Sequence, residues 1–311
     1  MDQFKNPNKG LPLCLTICLL LLSCHTSFSQ GMLGKEAIEK ELSQKNALII
    51  EAAKSQSFRL KEDLYAPNAL LVAEFHPLID GPNKIAEYYT TIFSRQPLSD
   101  YTRETIEILE LESRVIETGL FSKELRDGQS LRGKYMNVWI KGKDGLTLRG
   151  EAFGYLHNVE DPLPLVVQSI KDEAPPLLPK EGLSIPWELN AYNAWGESLV
   201  QKRDASLITL AYTKDGAYFP FADTLKRGRE NLLKHFQAYY APPATIDSIK
   251  TWTYDYDVVE DGYILYRKFY VDWTVPGYSG NTQGSGISYR RRLPDHSIRI
   301  HRQLGTHIHQ E

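Results

Sequence analysis

One stretch of this sequence comes back. Shifted by 147 residues, Glu41–Phe93 lies over Glu188–Tyr240 without a gap, and eight of the 53 positions are identical. They are Glu41/Glu188, Leu42/Leu189, Asn46/Asn193, Ala47/Ala194, Leu60/Leu207, Tyr65/Tyr212, Leu78/Leu225 and Gly81/Gly228. The order of signals says more than the identities. Both copies read amphipathic helix, short helix, Tyr, apolar strand, glycine, then a helix ending in aromatics. A period this long marks a duplicated domain, not a solenoid repeat.

Ahead of the first copy, residues 1–29 read as a secretion signal. Lys5 and Lys9 precede the apolar run Leu11–Leu22, and Ser27 and Ser29 suit cleavage before Gln30. The expected location is periplasmic or extracellular. A rival reading is lipoprotein processing at Cys24, after Leu21-Leu22-Ser23, which would put the chain on a membrane. All three cysteines, Cys14, Cys18 and Cys24, lie in this segment. The mature chain then has no disulfide, thiolate nucleophile or cysteine metal site. Its 34 basic and 38 acidic residues leave a net charge of −4, which argues against a nucleic-acid partner. Arg290-Arg291-Arg292 is the one dense basic run, and reads as a solvated face.

The first domain is expected over 33–160. Glu36–Lys54 is a helix with Ile38, Leu42, Ile49 and Ala53 on one side, and a short helix follows at Phe58–Leu64. Ala69–Glu74 is an apolar strand, Asp80-Gly81-Pro82 a turn, and Lys84–Ser94 a helix. Four strands follow, with Asp127-Gly128 and Asp144-Gly145 as hairpin signals. Residues 161–186 hold six of the seventeen prolines and read as a semi-rigid linker, with a strand conceivable at Leu165–Ile170. The second domain, 187–311, repeats the plan. Asp204 caps a short helix, Gly228 opens a longer one, and a polar loop at Pro276–Gln283 joins two strands of its meander. Helices, a strand, a helix and an antiparallel meander make an α+β fold with helices on one face of a curved sheet.

Arg203-Asp204-Ala205-Ser206-Leu207-Ile208-Thr209-Leu210-Ala211-Tyr212-Thr213-Lys214-Asp215-Gly216-Ala217 resembles the start of a SnoaL-like domain. These domains belong to the nuclear transport factor 2-like superfamily, with ketosteroid isomerases and polyketide cyclases. The first domain is similar over Tyr65–Phe93, with Ser57 in place of the usual Asp. The resemblance covers nearly all of the mature chain. It implies two cone-like, cystatin-like domains, each with a long helix closing a strongly bent antiparallel sheet around one pocket. It also implies a test of chemistry, since isomerase-like members carry a general-base Asp on the first strand. That position falls near Ala73 and near Pro220, neither of which can hold a proton. Neighbouring Glu74 and His76 are the acid–base candidates of the first domain, and Asp223 and His235 those of the second.

Other chemistry is thin. Gly277-Tyr278-Ser279-Gly280-Asn281 lacks the last glycine of a nucleophile elbow, and Gly284-Ser285-Gly286 lacks the third glycine of a dinucleotide loop. No cofactor is expected. His301, His307 and His309 have no acidic partner at telling spacing, so no metal is expected either. Aromatics are the informative feature. Trp252, Tyr254 and Tyr256 share a strand face by period two, and Tyr266 and Tyr270 share the next. Trp195 lies on the long helix. In the first domain Tyr135, Asn137 and Trp139 share a face. The expected ligand-binding set is Tyr135, Asn137, Trp139, Trp195, Trp252, Tyr254 and Tyr270, with the second domain the better binder. Three function classes remain open: a binder of a small apolar or aromatic molecule, an isomerase, lyase or hydrolase using the same pocket, and an interaction module. For the last, the domains pair with each other or between copies.

Overall fold

The computed structural model describes residues 34–56, 64–170 and 179–309. The leader lies outside the described residues, as does the short helix expected at Phe58–Leu64 apart from Leu64 itself. From Glu41 onward the chain forms one compact unit.

Helix α1 (Lys35–Lys54) buries Leu42, Asn46, Ile49 and Ala53, a stripe at helical spacing. It is followed by β1 (Tyr65–Ala73), β2 (Ile79–Asp80) and α2 (Pro82–Arg95). The meander β3 (Leu98–Glu110), β4 (Arg114–Leu125), β5 (Ser130–Gly142) and β6 (Gly145–Tyr155) completes the first half. The second half repeats the order. It comprises α3 (Trp187–Lys202), α4 (Ala205–Ile208), β7 (Tyr212–Phe219), β8 (Lys226–Arg227) and α5 (Gly228–Tyr240). Its meander is β9 (Thr245–Val259), β10 (Gly262–Val275), β11 (Tyr278–Arg292) and β12 (Ile298–His307). Asp204 caps α4, its carboxylate accepting from the Ser206 and Leu207 N–H groups. Gly81 and Gly228 have φ of +95° and +79° where the α2 and α5 turns begin. A side chain resists that backbone, which explains one of the eight repeated identities.

Each half builds a six-stranded sheet, ordered β2-β1-β6-β5-β4-β3 and β8-β7-β12-β11-β10-β9. The meanders pair antiparallel, while β1 joins β6 and β7 joins β12 in parallel. Register shifts at Thr105/Glu107 and Tyr266/Arg267 mark bulges in the long strands, which bend a sheet around what it encloses. The α+β cone expected from the sequence is thus present twice in tandem.

The outer faces of the two sheets bury each other. Leu70, Val72, Ile116, Met136 and Val138 share one core with Phe219, Ile264, Tyr266, Ile287 and Leu304. Gly150 makes the approach possible, since a Cβ there would come within 2.3 Å of the Tyr266 ring. Arg149 donates to Asp255 at 2.6 Å, Arg302 grips Glu107 at 2.6 and 2.7 Å, and the Phe75 N–H donates to the His307 carbonyl at 2.8 Å. The two sheets thus pair within one chain.

Two local expectations are overturned. Leu165–Ile170 is not a strand: Leu163–Leu165 is a 3-10 turn flanked and entered by Pro162 and Pro164, whose rings favour a turn and remove donors. Nor is Pro276–Gln283 a loop. Val275 pairs with Tyr278, so Pro276-Gly277 alone turns the chain, with Gly277 at φ +84°. Ser279, Asn281 and Gln283 are the polar residues of a strand running past the core.

Candidate ligand-binding site

The two cones share a framework but not an interior. Phe121 faces Gly133 across the first sheet as Phe269 faces Gly284 across the second. A Cβ on either glycine would lie 2.0 or 2.3 Å from the facing ring. This shared device fixes which residues correspond along the pairing registers. Tyr135 corresponds to Gly286, Phe153 to Gly305, Arg103 to Thr251 and Lys123 to Val271.

In the first cone the larger residues fill the space. Arg103 lies 4.0 Å over the Tyr135 ring and 3.7 Å from Glu151, which also accepts from the Tyr65 hydroxyl at 2.7 Å. Lys123 sits among the Tyr101, Phe121 and Phe153 rings at 5.0–5.4 Å. Burial, with Arg103 nearby, holds its ammonium down at about 8. What remains is a void of about 10 Å³, room for one water at most.

Beside it, buried Glu117 collects five donors: Asn46 Nδ2 (2.7 Å), Thr105 Oγ1 (2.6 Å), Tyr135 OH (2.9 Å), Asn137 Nδ2 (3.2 Å) and Trp139 Nε1 (3.0 Å). Tyr135, Asn137 and Trp139, expected to hold a ligand, instead spend their polar tips on a carboxylate of the protein's own. Asn137 and Trp139 line neither this void nor the cavity of the second cone.

The second cone is open. Its cavity of about 270 Å³ is walled by Tyr192, Tyr212, Tyr218, Phe236, Tyr240 and Phe269, with Ile249, Thr251 and Val271 along the strands. Gly286 and Gly305 line it where Tyr135 and Phe153 stand in the first cone. Two arginines face it. Arg290 is 3% exposed, donates one bond to Asn193 Oδ1 (2.9 Å) and lies 4.4 Å over the Tyr192 ring. Burial drives its guanidinium down to about 10. Arg267 is likewise depressed by burial. Arg290 Nε and Nη1 and Arg267 Nε are buried without a hydrogen-bond partner.

The expected aromatic set lies elsewhere. Trp252 pairs with Lys268 on the outer face of the sheet. Tyr254 reaches across to Asp80 Oδ2 at 2.7 Å, and Tyr256 turns to the helix side, donating to the Ser184 carbonyl at 3.1 Å. The bulge opposite Tyr266/Arg267 breaks the alternation, so the three do not share a face. Tyr270 bonds Asp272 on the outer face, and Trp195 packs on Tyr192 outside the cavity. Inward positions belong to Thr251, Arg267 and Phe269. The basic run is not a solvated face either: Arg290 is interior, Arg291 pairs with Asp261 at 2.9 Å, and Arg292 grips Glu188 at 2.6 Å.

Of the acid–base candidates, only His235 lines the cavity. Its Nδ1 is 3.4 Å from Asp223 Oδ2, and burial holds the imidazole below its ordinary value. Burial pushes the Asp223 carboxyl up, but Lys226 and the Thr224 N–H together pull it below the usual carboxylate range. Glu74 and His76 are buried away from both voids. Burial raises Glu74 to about 7 against the Tyr155 N–H and Lys134, and burial lowers His76 to about 4. His76 takes the Val167 N–H on Nε2 at 2.8 Å and faces the Glu74 carbonyl through Nδ1 at 2.9 Å, so the neutral ring is fully bonded. His307 lines the cavity, stacked on Phe221 at 4.3 Å, and His301 bonds Thr213 instead.

No protein-family model and no curated protein matches the chain. Among solved structures, it is similar to a ketosteroid isomerase-like protein from Erwinia carotovora atroseptica, at 12% identity over 40% of this chain and 96% of that one, TM-score 0.36. A nuclear transport factor 2-like superfamily protein from Salmonella enterica serovar Typhimurium is 17% identical over 39% and 92%, TM-score 0.33. A domain with a cystatin-like fold from Nostoc punctiforme is 14% identical over 40% and 80%, TM-score 0.36.

Proposed function

We propose that this is an exported small-molecule binding protein whose second cone holds the ligand while the first serves as a solid partner. The observation that carries the reading is the contrast between an aromatic-walled cavity of about 270 Å³ and its filled counterpart of about 10 Å³. Maintaining such a void costs packing energy, and rings with polar tips around it suit a planar, largely apolar guest. The test is to close the second cone the way the first is closed. A Cβ on Gly305 meets nothing nearer than 3.7 Å, so Gly305→Phe fits at its root and projects a ring inward. In a thermal-shift screen of planar aromatic compounds, some should raise the melting temperature of the parent and not of this variant. A screen in which no compound separates the two sinks the reading. Export is checked by the mass of the mature protein: Gln30 first for simple secretion, lipidated Cys24 for an anchor.

A second reading, acid–base catalysis, has the 3.4 Å contact between Asp223 and His235 at the cavity wall in its favour. It requires turnover of a bound compound that His235→Gln abolishes while binding stays intact.

A further inference from the structure

Resting on the binding role of the second cone, we infer that its ligand is an anion, a carboxylate on a planar aromatic body, received by Arg290 and Arg267.

The two cones frame the argument. In the first, interior donors converge on Glu117, an anion built into the chain. In the second, that position is Leu265, since Glu117 pairs with Asn137 as Leu265 pairs with Ser288. Trp139, a donor to Glu117, corresponds to Arg290, and Gly119 to Arg267. The built-in acid is gone, and two guanidinium groups have been added around an empty space.

Among the described residues no carboxylate pairs with either arginine. Arg290 spends one donor on Asn193, while its Nε and Nη1 and Arg267 Nε have no partner. Of the described residues on the cavity wall, Glu197 is the one carboxylate. Its Oε1 already accepts the Thr251 N–H at 2.7 Å, and its Oε2 lies 3.6 Å from Lys250. Asp223, beside His235, is bound by Lys226 at 2.8 Å. The groups stacked on the two guanidiniums are uncharged rings, Tyr192 at 4.4 Å from Arg290 and Phe269 at 5.8 Å from Arg267. Buried charges left unpaired are costly, and a guanidinium fork fits a carboxylate. A guest that brings its own carboxylate removes the cost and leaves its ring among Tyr212, Tyr218 and Phe236.

Calorimetric titration of the full chain with 2-naphthoate, its uncharged twin 2-naphthamide, and inorganic phosphate tests this. Naphthoate should bind at least about tenfold more tightly than the amide, the scale of one charge-assisted hydrogen bond. Phosphate, lacking the ring, should bind more weakly still. Arg290→Gln should bring naphthoate down to the level of the amide, and Gly305→Phe should abolish both. Arg267→Met supplies a readout that a structural arginine would not give: the ligand-free variant should melt no lower than the parent, yet lose naphthoate affinity. A lower melting temperature with unchanged affinity assigns the arginine to the fold and overturns the inference. Equal binding of acid and amide overturns the anion assignment while leaving the pocket in place. Failure of naphthoate where another planar compound stabilises the parent, or phosphate binding as tightly as naphthoate, also overturns it. If no planar compound stabilises the parent at all, the binding role itself falls.

Discussion

The two halves were built from one plan and have solved the interior of a bent sheet in opposite ways. The first closes its cone with side chains: Tyr135, Phe153, Arg103 and Lys123 take the space, and Glu117 gathers the polar tips. The second places Gly286, Gly305, Thr251 and Val271 at the same positions and leaves about 270 Å³ open. What both retain is the machinery outside the void. Asn46 and Asn193 both anchor the long helix to interior polar groups, Glu117 in one and Thr253 with Arg290 in the other. Glu41 and Glu188 both tie it to the meander, through the Leu146 N–H and through Arg292. The duplication kept the scaffold and changed the content. The outer face of the filled domain's sheet packs against that of the hollow one.

The largest effect should come from removing the acid that organises the filled cone. Glu117→Leu installs the residue of the other half. It strands five donors in a place water does not reach, and a buried donor left unpaired costs about 1–3 kcal/mol. Relaxation will recover some of this, and a loss on the order of 5 kcal/mol is expected in denaturant unfolding. A loss under about 1 kcal/mol would show that Glu117 is an incidental acceptor and that the cones differ less than their geometry says.

Next is the exchange at Phe153 and Gly305. Phe153→Gly empties part of the first cone and should cost about 3–5 kcal/mol, as for buried aromatic truncations. Gly305→Phe fills space that is already empty, so it should cost little or stabilise. Opposite signs in thermal unfolding confirm that one cone is packed and the other hollow. Like signs would mean that the cavity is closed by some other adjustment of the fold.

The scaffold was legible in the sequence because its signals are local. Gly81 and Gly228, the Asp-Gly turns and the Asp204 cap each act within a few residues. The cavity was harder to read for two physical reasons. Period-two reasoning assumes one wet face, but these sheets bury both, so the inward face could not be told from the outward one at Trp252. A single bulge at Tyr254 then moved Tyr256 to the other side. Arg290 was hidden by its neighbours Arg291 and Arg292, which pair with acids at the surface as a basic run is expected to do. The signal that was available is the late register of the repeat: Gly133 over Gly284 brings Tyr135 over Gly286, a large residue over none, two positions further on.

The smallest effect is expected where the two halves should not differ at all. Gly81 and Gly228 start the turns into α2 and α5 at φ +95° and +79°, and a Cβ at either would meet nothing within 4 Å. Alanine there introduces no clash, so its cost is the backbone strain of an L-residue at positive φ, about 1–3 kcal/mol. The same loss in each half is the expected outcome for Gly81→Ala and Gly228→Ala, read from denaturant midpoints at constant slope. It would separate backbone demands, shared by both copies, from interior packing, which is not. Unequal losses would mean that the contents of a cone reach back to its first turn, and that the open cone yields there more readily than the filled one.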